Sequence, residues 1–247
     1  MRVASIGDLH LAHRPRLDGF RGPESELLGL LDHLEANHDR IVLLGDLIAS
    51  DYGRLPGSRA DVVHATLDRY GAVARRWRSE PYVMVFGNHD VVLEQELGAR
   101  ESVDFEHEGF RAHLIHGHQY DPLIGKLAQP TTWTLGLARR LGGGPLVDRI
   151  EGPLFRKLQQ RAGRRGSPER AAMSMLDAGG HDVIVMGHTH VVRCEAGIRG
   201  VYANSGALTA RFLAYTSIDL NRREVRVCQL RGGRPEILGQ WRAAQSQ

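Results

Sequence analysis

The chain has 247 residues, of which 42% are apolar and 25% charged, and its formal net charge is +3. That length suits one large domain or one domain with an insertion, and the composition is ordinary for a soluble globular protein. The charge is too small to imply nucleic-acid binding, and two cysteines, Cys194 and Cys228, are too few for a disulfide scaffold. Both cysteines sit in apolar segments and read as buried free thiols of a reducing compartment. The opening Met-Arg-Val-Ala-Ser-Ile-Gly-Asp is too short an apolar run for a signal peptide. No stretch approaches the roughly 20 apolar residues of a membrane span. The expected location is cytoplasmic, either free or peripheral at a membrane surface.

Val3–Ile6 reads as a first buried strand. Leu27, Leu28, Leu31 and Leu34 then recur at helical spacing, with Pro23 in the first turn. Ile41–Leu44 is a second strand. From Val62 and Val63 through Leu67, Tyr70, Val73 and Ala74 to Trp77 the spacing predicts one long amphipathic helix, and Tyr82–Phe86 a third strand. This alternation predicts parallel strands covered by helices. After Arg100 the residues around Glu108-Gly109 read as a hairpin, with Val103, Phe105, Phe110, His113 and Ile115 in its arms. Ser167-Pro168 caps a last helix that ends near Gly179-Gly180. Val183–Met186, Val201–Ala203, Leu213–Leu220 and Val225–Leu230 are further strands, the late ones antiparallel, with a turn at Asn221-Arg222-Arg223. The tail after Gly239 is polar and expected to fray, with Trp241 the residue able to pack down.

Metal-binding side chains follow these strands. The blocks are Asp8-Leu9-His10, Gly45-Asp46, Gly87-Asn88-His89-Asp90, His116-Gly117-His118 and Gly187-His188-Thr189-His190. In open α/β sheets sites form at that strand end, where loops converge over a rigid floor. Asp46 can offer one carboxylate oxygen to each of two ions, and Asn88 is a ligand that adds no charge. Mixed nitrogen and oxygen ligation without cysteine suits Mn²⁺, Fe²⁺ or Zn²⁺, and manganese is the first choice.

The five blocks, in this order, resemble the calcineurin-like metallophosphoesterases. The resemblance runs from the first residues to about Ala207 and implies a four-layer sandwich of mixed β-sheets flanked by helices. It also implies two divalent metal ions. Asp8, His10, Asp46 and His190 would hold one; Asp46, Asn88, His116 and His188 the other. A hydroxide between them would be the nucleophile. His89, with no metal to bind, would protonate the leaving oxygen, and Asp90 would orient it. His118 could contact phosphate together with Asn88, or support a ligand. His13 could line the mouth or be a plain loop residue. His33, His38, His64, His107 and His181 carry no motif and read as ordinary surface or helix residues. Asn204-Ser205-Gly206 is expected to back the site.

Residues 121–167 interrupt the scaffold, so residues 1–120 and 168–247 form the metallophosphoesterase domain and 121–167 a helical cap. The insert has nine basic and three acidic side chains, a net of +6, interleaved with leucines and Trp133. Amphipathic helices with a basic face fit this pattern, broken at Gly142-Gly143-Gly144-Pro145. Beside a metal site such a segment could act as a substrate lid, or pack as a structural or dimer-forming hairpin. Its position and character resemble the cap of the UDP-2,3-diacylglucosamine diphosphatases. That subfamily usually has Arg where His89 stands and Asp where His118 stands, so the resemblance leaves the substrate open. The sequence therefore supports a di-metal phosphohydrolase cleaving a phosphate ester or pyrophosphate, on a phosphorylated small-molecule, UDP-sugar or lipid-linked substrate. A nucleotide phosphodiesterase or nuclease, and a non-catalytic metal-binding scaffold, are the alternatives.

Overall fold

The computed structural model describes residues 1–50, 59–121 and 166–244. The cap expected at 121–167 and its two helices lie outside these residues, apart from its first and last positions.

Alternation of apolar side chains builds the layers. In β1 (Arg2–Ile6) and β2 (Arg40–Leu44), Ala4, Ile6, Ile41 and Leu43 point to one side, Val3, Val42 and Leu44 to the other. Both sides must therefore be covered, as parallel strands require. The first side packs on α1 (Glu24–Asn37), α2 (Arg59–Arg69) and α3 (Gly71–Trp77) through Leu27, Leu31, Val63, Val73 and Trp77. The second side packs on another sheet through Val103, Ala112, Leu114, Val183 and Val185. The far side of that sheet is covered by α5 (Ser167–Asp177), where Ala172, Met173 and Leu176 meet Ile115, Ile184 and Tyr202. Helix, sheet, sheet, helix is the expected four-layer order.

The first sheet continues with β3 (Tyr82–Val85), β9 (Leu213–Asp219), β10 (Glu224–Arg231) and β11 (Arg234–Arg242) in the order β11-β10-β9-β1-β2-β3. The short α4 (Leu93–Leu97) follows β3. The second sheet contains β4 (Ser102–His107), β5 (Phe110–Ile115), β6 (Val183–Val185), β7 (Arg193–Ala196) and β8 (Val201–Asn204), in the order β4-β5-β6-β8-β7. Strands β1, β2 and β3 are parallel, as are β5, β6 and β8. Their C-terminal ends carry the ligand loops.

The structure corrects the sequence reading at several points. The single helix from Val62 to Trp77 is two, broken at Tyr70, which leaves helical geometry just before Gly71. Tyr70 is buried there with its hydroxyl donating to Asp18 Oδ2, and glycine adds little helical preference to oppose the break. The tail does not fray after Gly239. It continues as β11 to Arg242, hydrogen-bonded to β10, and Trp241 stacks on Phe110 with ring centroids 6.4 Å apart. Strand β7 was not foreseen, because Arg193-Cys-Glu-Ala has neither an apolar run nor a clear alternation. At the caps, Pro23 is the N-cap of α1 and not a first-turn residue, and Gly166, not Ser167, is the N-cap of α5. No helix among the described residues is long and apolar enough to cross a membrane.

Candidate metal centre

The loops after β1 and β2 run on together beyond the sheet. Asp8 N–H donates to Gly45 O (3.0 Å), His10 N–H to Asp46 O (2.9 Å) and Leu11 N–H to Leu47 O (2.8 Å). To turn side chains inward while keeping these bonds, the backbone enters the left-handed region. Eight non-glycine residues among those described have positive φ, and five are Asp8, His10, Asp46, His188 and His190. Such conformations cost about 1–3 kcal/mol each and persist only when surroundings enforce them. Their concentration on one set of side chains marks the site independently of the motifs.

Asp46 stands at its centre. Its Oδ1 accepts the His89 backbone N–H at 2.9 Å. Its Oδ2 lies 3.3 Å from His116 Nε2, 3.9 Å from His89 Nε2 and 4.0 Å from His10 Nε2. Asp8 accepts the His188 N–H on both oxygens, and its Oδ1 is 3.4 Å from His190 Nε2. His10 Nε2 and His190 Nε2 face each other at 3.2 Å. Ligand atoms each about 2.1 Å from one ion lie roughly 3–4 Å apart, which is the spacing seen here. Three groups here have ligand atoms mutually within 4.8 Å: Asp8-His10-His190, His10-Asp46-His89 and Asp46-His116-His188.

The donor set fits a metal on a second count. His116 Nδ1 is fixed by Leu44 O at 2.9 Å, which aims Nε2 inward; there it is buried and makes no hydrogen bond. Asn88 Oδ1 and His10 Nδ1 are likewise buried without a hydrogen-bond partner. Such orphaned atoms are rare and costly unless they serve a ligand or ion. Glycine is required at position 87, where a Cβ would fall on the Asp46 carboxylate.

Electrostatics tell the same story. Burial alone would raise the Asp46 carboxyl, but His116 and His89 outweigh it and hold it well below the usual range. Burial likewise opposes charge on His116, yet the facing Asp46 pushes it up to about 10. His10 falls to about 4, chiefly through burial, with His190 and His89 adding repulsion. Without an ion, buried carboxylates can be balanced only by protonated imidazoles; a cation supplies that charge directly.

The family model for calcineurin-like phosphoesterases matches residues 1–192. The chain belongs to the calcineurin-like phosphoesterases. This is a family of metal-dependent phosphoester hydrolases, and the fold agrees. A Vps29 mutant from Entamoeba histolytica superposes with TM-score 0.50 at 17% identity, covering 98% of both chains. YfcE, a phosphoesterase from E. coli, gives 0.50 at 18%, again over 98% of both chains. Vps29 from Chaetomium thermophilum gives 0.51 at 14%, over 97% of this chain and 96% of that one. At such identities these matches speak for the fold alone. No curated protein sequence matches the chain.

In this phosphoesterase the structure gathers Asp8, His10, Asp46, His89, His116, His188 and His190 into one cluster, and Asn88, next to His89, has its Oδ1 buried. Asp90 is placed otherwise than expected. Wholly buried, its carboxylate accepts the backbone N–H groups of Gly87 (2.6 Å), Asp46 (3.2 Å), Leu47 (2.6 Å) and Ile48 (3.2 Å). It clamps the second and third ligand loops together, and the expected contact with the His89 ring is not among these bonds. His118 lies beside the cluster, its ring 5.4 Å from that of His116 and 6.3 Å from Phe86. Burial and then His116 lower it to about 4, so it is a neutral neighbour. His13 is half-buried past the first loop. Asn204 backs the site by donating to Gly187 O (2.8 Å) and Thr189 Oγ1 (3.1 Å).

One residue was missed. Asp121, counted only as the first residue of the insert, sits with Oδ2 3.2 Å from His188 Nε2. A short 3₁₀ turn, His118–Tyr120, swings it back toward the site. Gly117 and Pro122 bracket that reversal and mark a turn, but spacing alone could not say that it aims Asp121 at His188. Among the residues read as ordinary, His38 is in fact buried, its ring bonded to Leu34 O and Ser217 Oγ.

Proposed function

We propose that the protein hydrolyses a phosphate ester or pyrophosphate with two divalent cations, manganese first among them, shared through Asp46. The observation that carries this reading is the Asp46 carboxylate, whose Oδ2 faces imidazoles from three separate loops within 4.0 Å. Asp8, His10, Asp46 and His190 would hold one ion; Asp46, Asn88, His116 and His188 the other. When bound, such a pair supplies a nucleophile at neutral pH and neutralises charge developing on phosphorus oxygens. The chain's own residues do the rest. Leu44 O fixes the His116 ring, and Asp90 holds the loops that carry Asp46 and Asn88. His89 keeps 16% of its side chain exposed beside a nearly sealed Asp46, so it can reach a leaving oxygen and protonate it. Asn88 and His118 would meet the phosphate.

The basic, leucine-rich sequence of residues 121–167 supports a lipid-linked or UDP-sugar substrate and contact with an anionic membrane surface. A nucleotide phosphodiesterase and a non-catalytic scaffold are the competing readings. The metal-stripped protein, refilled with Mn²⁺, is to be assayed on a chromogenic diester, simple monoesters, acylated and plain UDP-sugars and cyclic nucleotides. Hydrolysis with two ions bound per chain is expected, with acylated UDP-sugars preferred. One ion at full activity would remove the shared-carboxylate scheme. No hydrolysis of any substrate would favour the scaffold.

A further inference from the structure

A second cluster of metal-binding side chains lies outside the cleft. Asp104 on β4 and His113 on β5 are directly paired across the hairpin, and His113 Nδ1 is 2.7 Å from Asp104 Oδ1. His181, in the turn before β6, stacks on His113 with ring centroids 4.9 Å apart and an interplanar angle of 28°. One ligand atom from each of the three lies within 4.8 Å of the others. The positions are not accidents of long side chains. The hairpin turn at Glu108-Gly109 fixes the β4–β5 register, with both residues at positive φ. The turn carrying His181 is pinned by two bonds, Asp182 N–H to Arg111 O and Arg111 N–H to Asp182 Oδ2, each 2.8 Å. These bonds hold Asp104 and His113 on paired strands and His181 in the turn beside them.

We propose that Asp104, His113 and His181 form a separate surface site for a borderline divalent cation such as Zn²⁺ or Cu²⁺, with water in the remaining positions. Two imidazoles and one carboxylate suit such ions better than Mg²⁺ or Ca²⁺, which prefer all-oxygen sites. The surroundings favour it. His113 has 12% of its side chain exposed and Asp104 64%, so an ion can enter from solvent yet rest on a partly shielded ring. Glu106 shares the Asp104 face of β4, and Arg111 lies opposite it, so the added charge is modest. The site is independent of the phosphohydrolase reading. It clips β4, β5 and the approach to β6, with none of its three residues among those gathered at Asp46.

Zinc alone is the probe. The stripped full-length protein is equilibrated with Zn²⁺, and bound metal is counted by elemental analysis for the wild type, His181→Gln, and Asp104→Asn with His113→Gln. The wild type should hold one Zn²⁺ per chain more than either variant, and affinity for that ion should fall at least about tenfold. Chromogenic-diester turnover should stay within about twofold. Long-range ¹H–¹⁵N spectra should show the His113 and His181 rings shifting with added zinc. If the double variant fails to fold, His181→Gln, in a turn, decides alone. Equal zinc counts in wild type and His181→Gln, or unshifted ring signals on saturation, would overturn the site.

Discussion

The two sheets contribute unlike halves to the cleft. The first, through the loops after β1, β2 and β3, supplies both carboxylates, Asn88, His10 and His89. The second, through the loops after β5 and β6, supplies imidazoles: His116, His188 and His190. Neither half is self-sufficient. The Asp8 carboxylate is held by the His188 N–H from the second sheet, and the His116 ring by Leu44 O from the first. Asp8 and Asp46 sit on one side and His116, His188 and His190 on the other, and each half helps to orient its opposite. The centre therefore exists only because the sheets pack face to face with their parallel strands ending at the same edge.

The sharpest way to break this relation is at Asp46, the carboxylate that all three imidazole-bearing neighbours face. Asp46→Asn should strip both ions and depress turnover beyond the roughly 10⁴-fold upper range for losing acid–base catalysis. His116→Ala, on the other half, should lose one ion only. Metal counts together with diester turnover check both. Equal metal content in Asp46→Asn and wild type would mean that the carboxylate is not shared.

His89 belongs to the carboxylate half but coordinates nothing in the proposed scheme. His89→Ala should keep both ions and lose about 10²–10⁴-fold on an ester with a poor leaving group. The loss should be smaller for nitrophenolate, which needs little protonation. Identical losses on the two substrates would remove its acid role.

Much of the first half could be read from sequence, less of the second. Strands β1, β2, β3 and β6 are apolar on both faces, and such runs ending in Gly-Asp, Gly-Asn or Gly-His announce themselves. Strands β7 and β11 gave no such signal. Strand β11 lies at the sheet edge with mostly exposed side chains, so its backbone pairing with β10, and not its composition, makes it a strand. In the site, the motifs named the ligands but not how they are held. The left-handed backbone at Asp8, His10, Asp46, His188 and His190 is imposed by loop-to-loop bonds, and non-glycine residues carry no local mark of it. Asp90 was misjudged for the same reason: adjacency to His89 suggested a partner, whereas the fold turns its carboxylate onto four N–H groups from two loops.

That clamp gives the next test. Asp90→Asn keeps one accepting oxygen but turns an amide NH₂ toward buried N–H donors. Each buried donor left unsatisfied costs about 1–3 kcal/mol. Misplaced ligand loops should lower metal affinity or turnover by about 10–100-fold, as for other outer partners of metal sites. Metal titration and urea unfolding would read the two effects. Wild-type values in both would show that the loops hold their shape without the carboxylate.

The smallest expected effect lies away from the cleft, where α1 meets the first sheet. His38 is buried, with Nδ1 3.1 Å from Leu34 O and Nε2 2.8 Å from Ser217 Oγ. Burial lowers its pKa, and nearby Arg2 and His33 oppose its protonation further, against the pull of Leu34 O and Asp39. A histidine whose folded pKa lies below its unfolded value contributes its stability fully above about pH 6.5 and loses it as pH falls from there toward the folded pKa. His38→Gln should cost about 1 kcal/mol at pH 7.5, through disturbed buried hydrogen bonds. It should also remove this residue's share of the acid sensitivity. Urea unfolding of metal-stripped wild type and variant at pH 7.5 and 5.5 isolates that share, because the site histidines titrate in both proteins and cancel in the difference. The gap in stability between the two proteins should narrow at the lower pH. A gap that stays constant would show that His38 has the same pKa in the folded and unfolded chains, and a gap that widens that folding raises it.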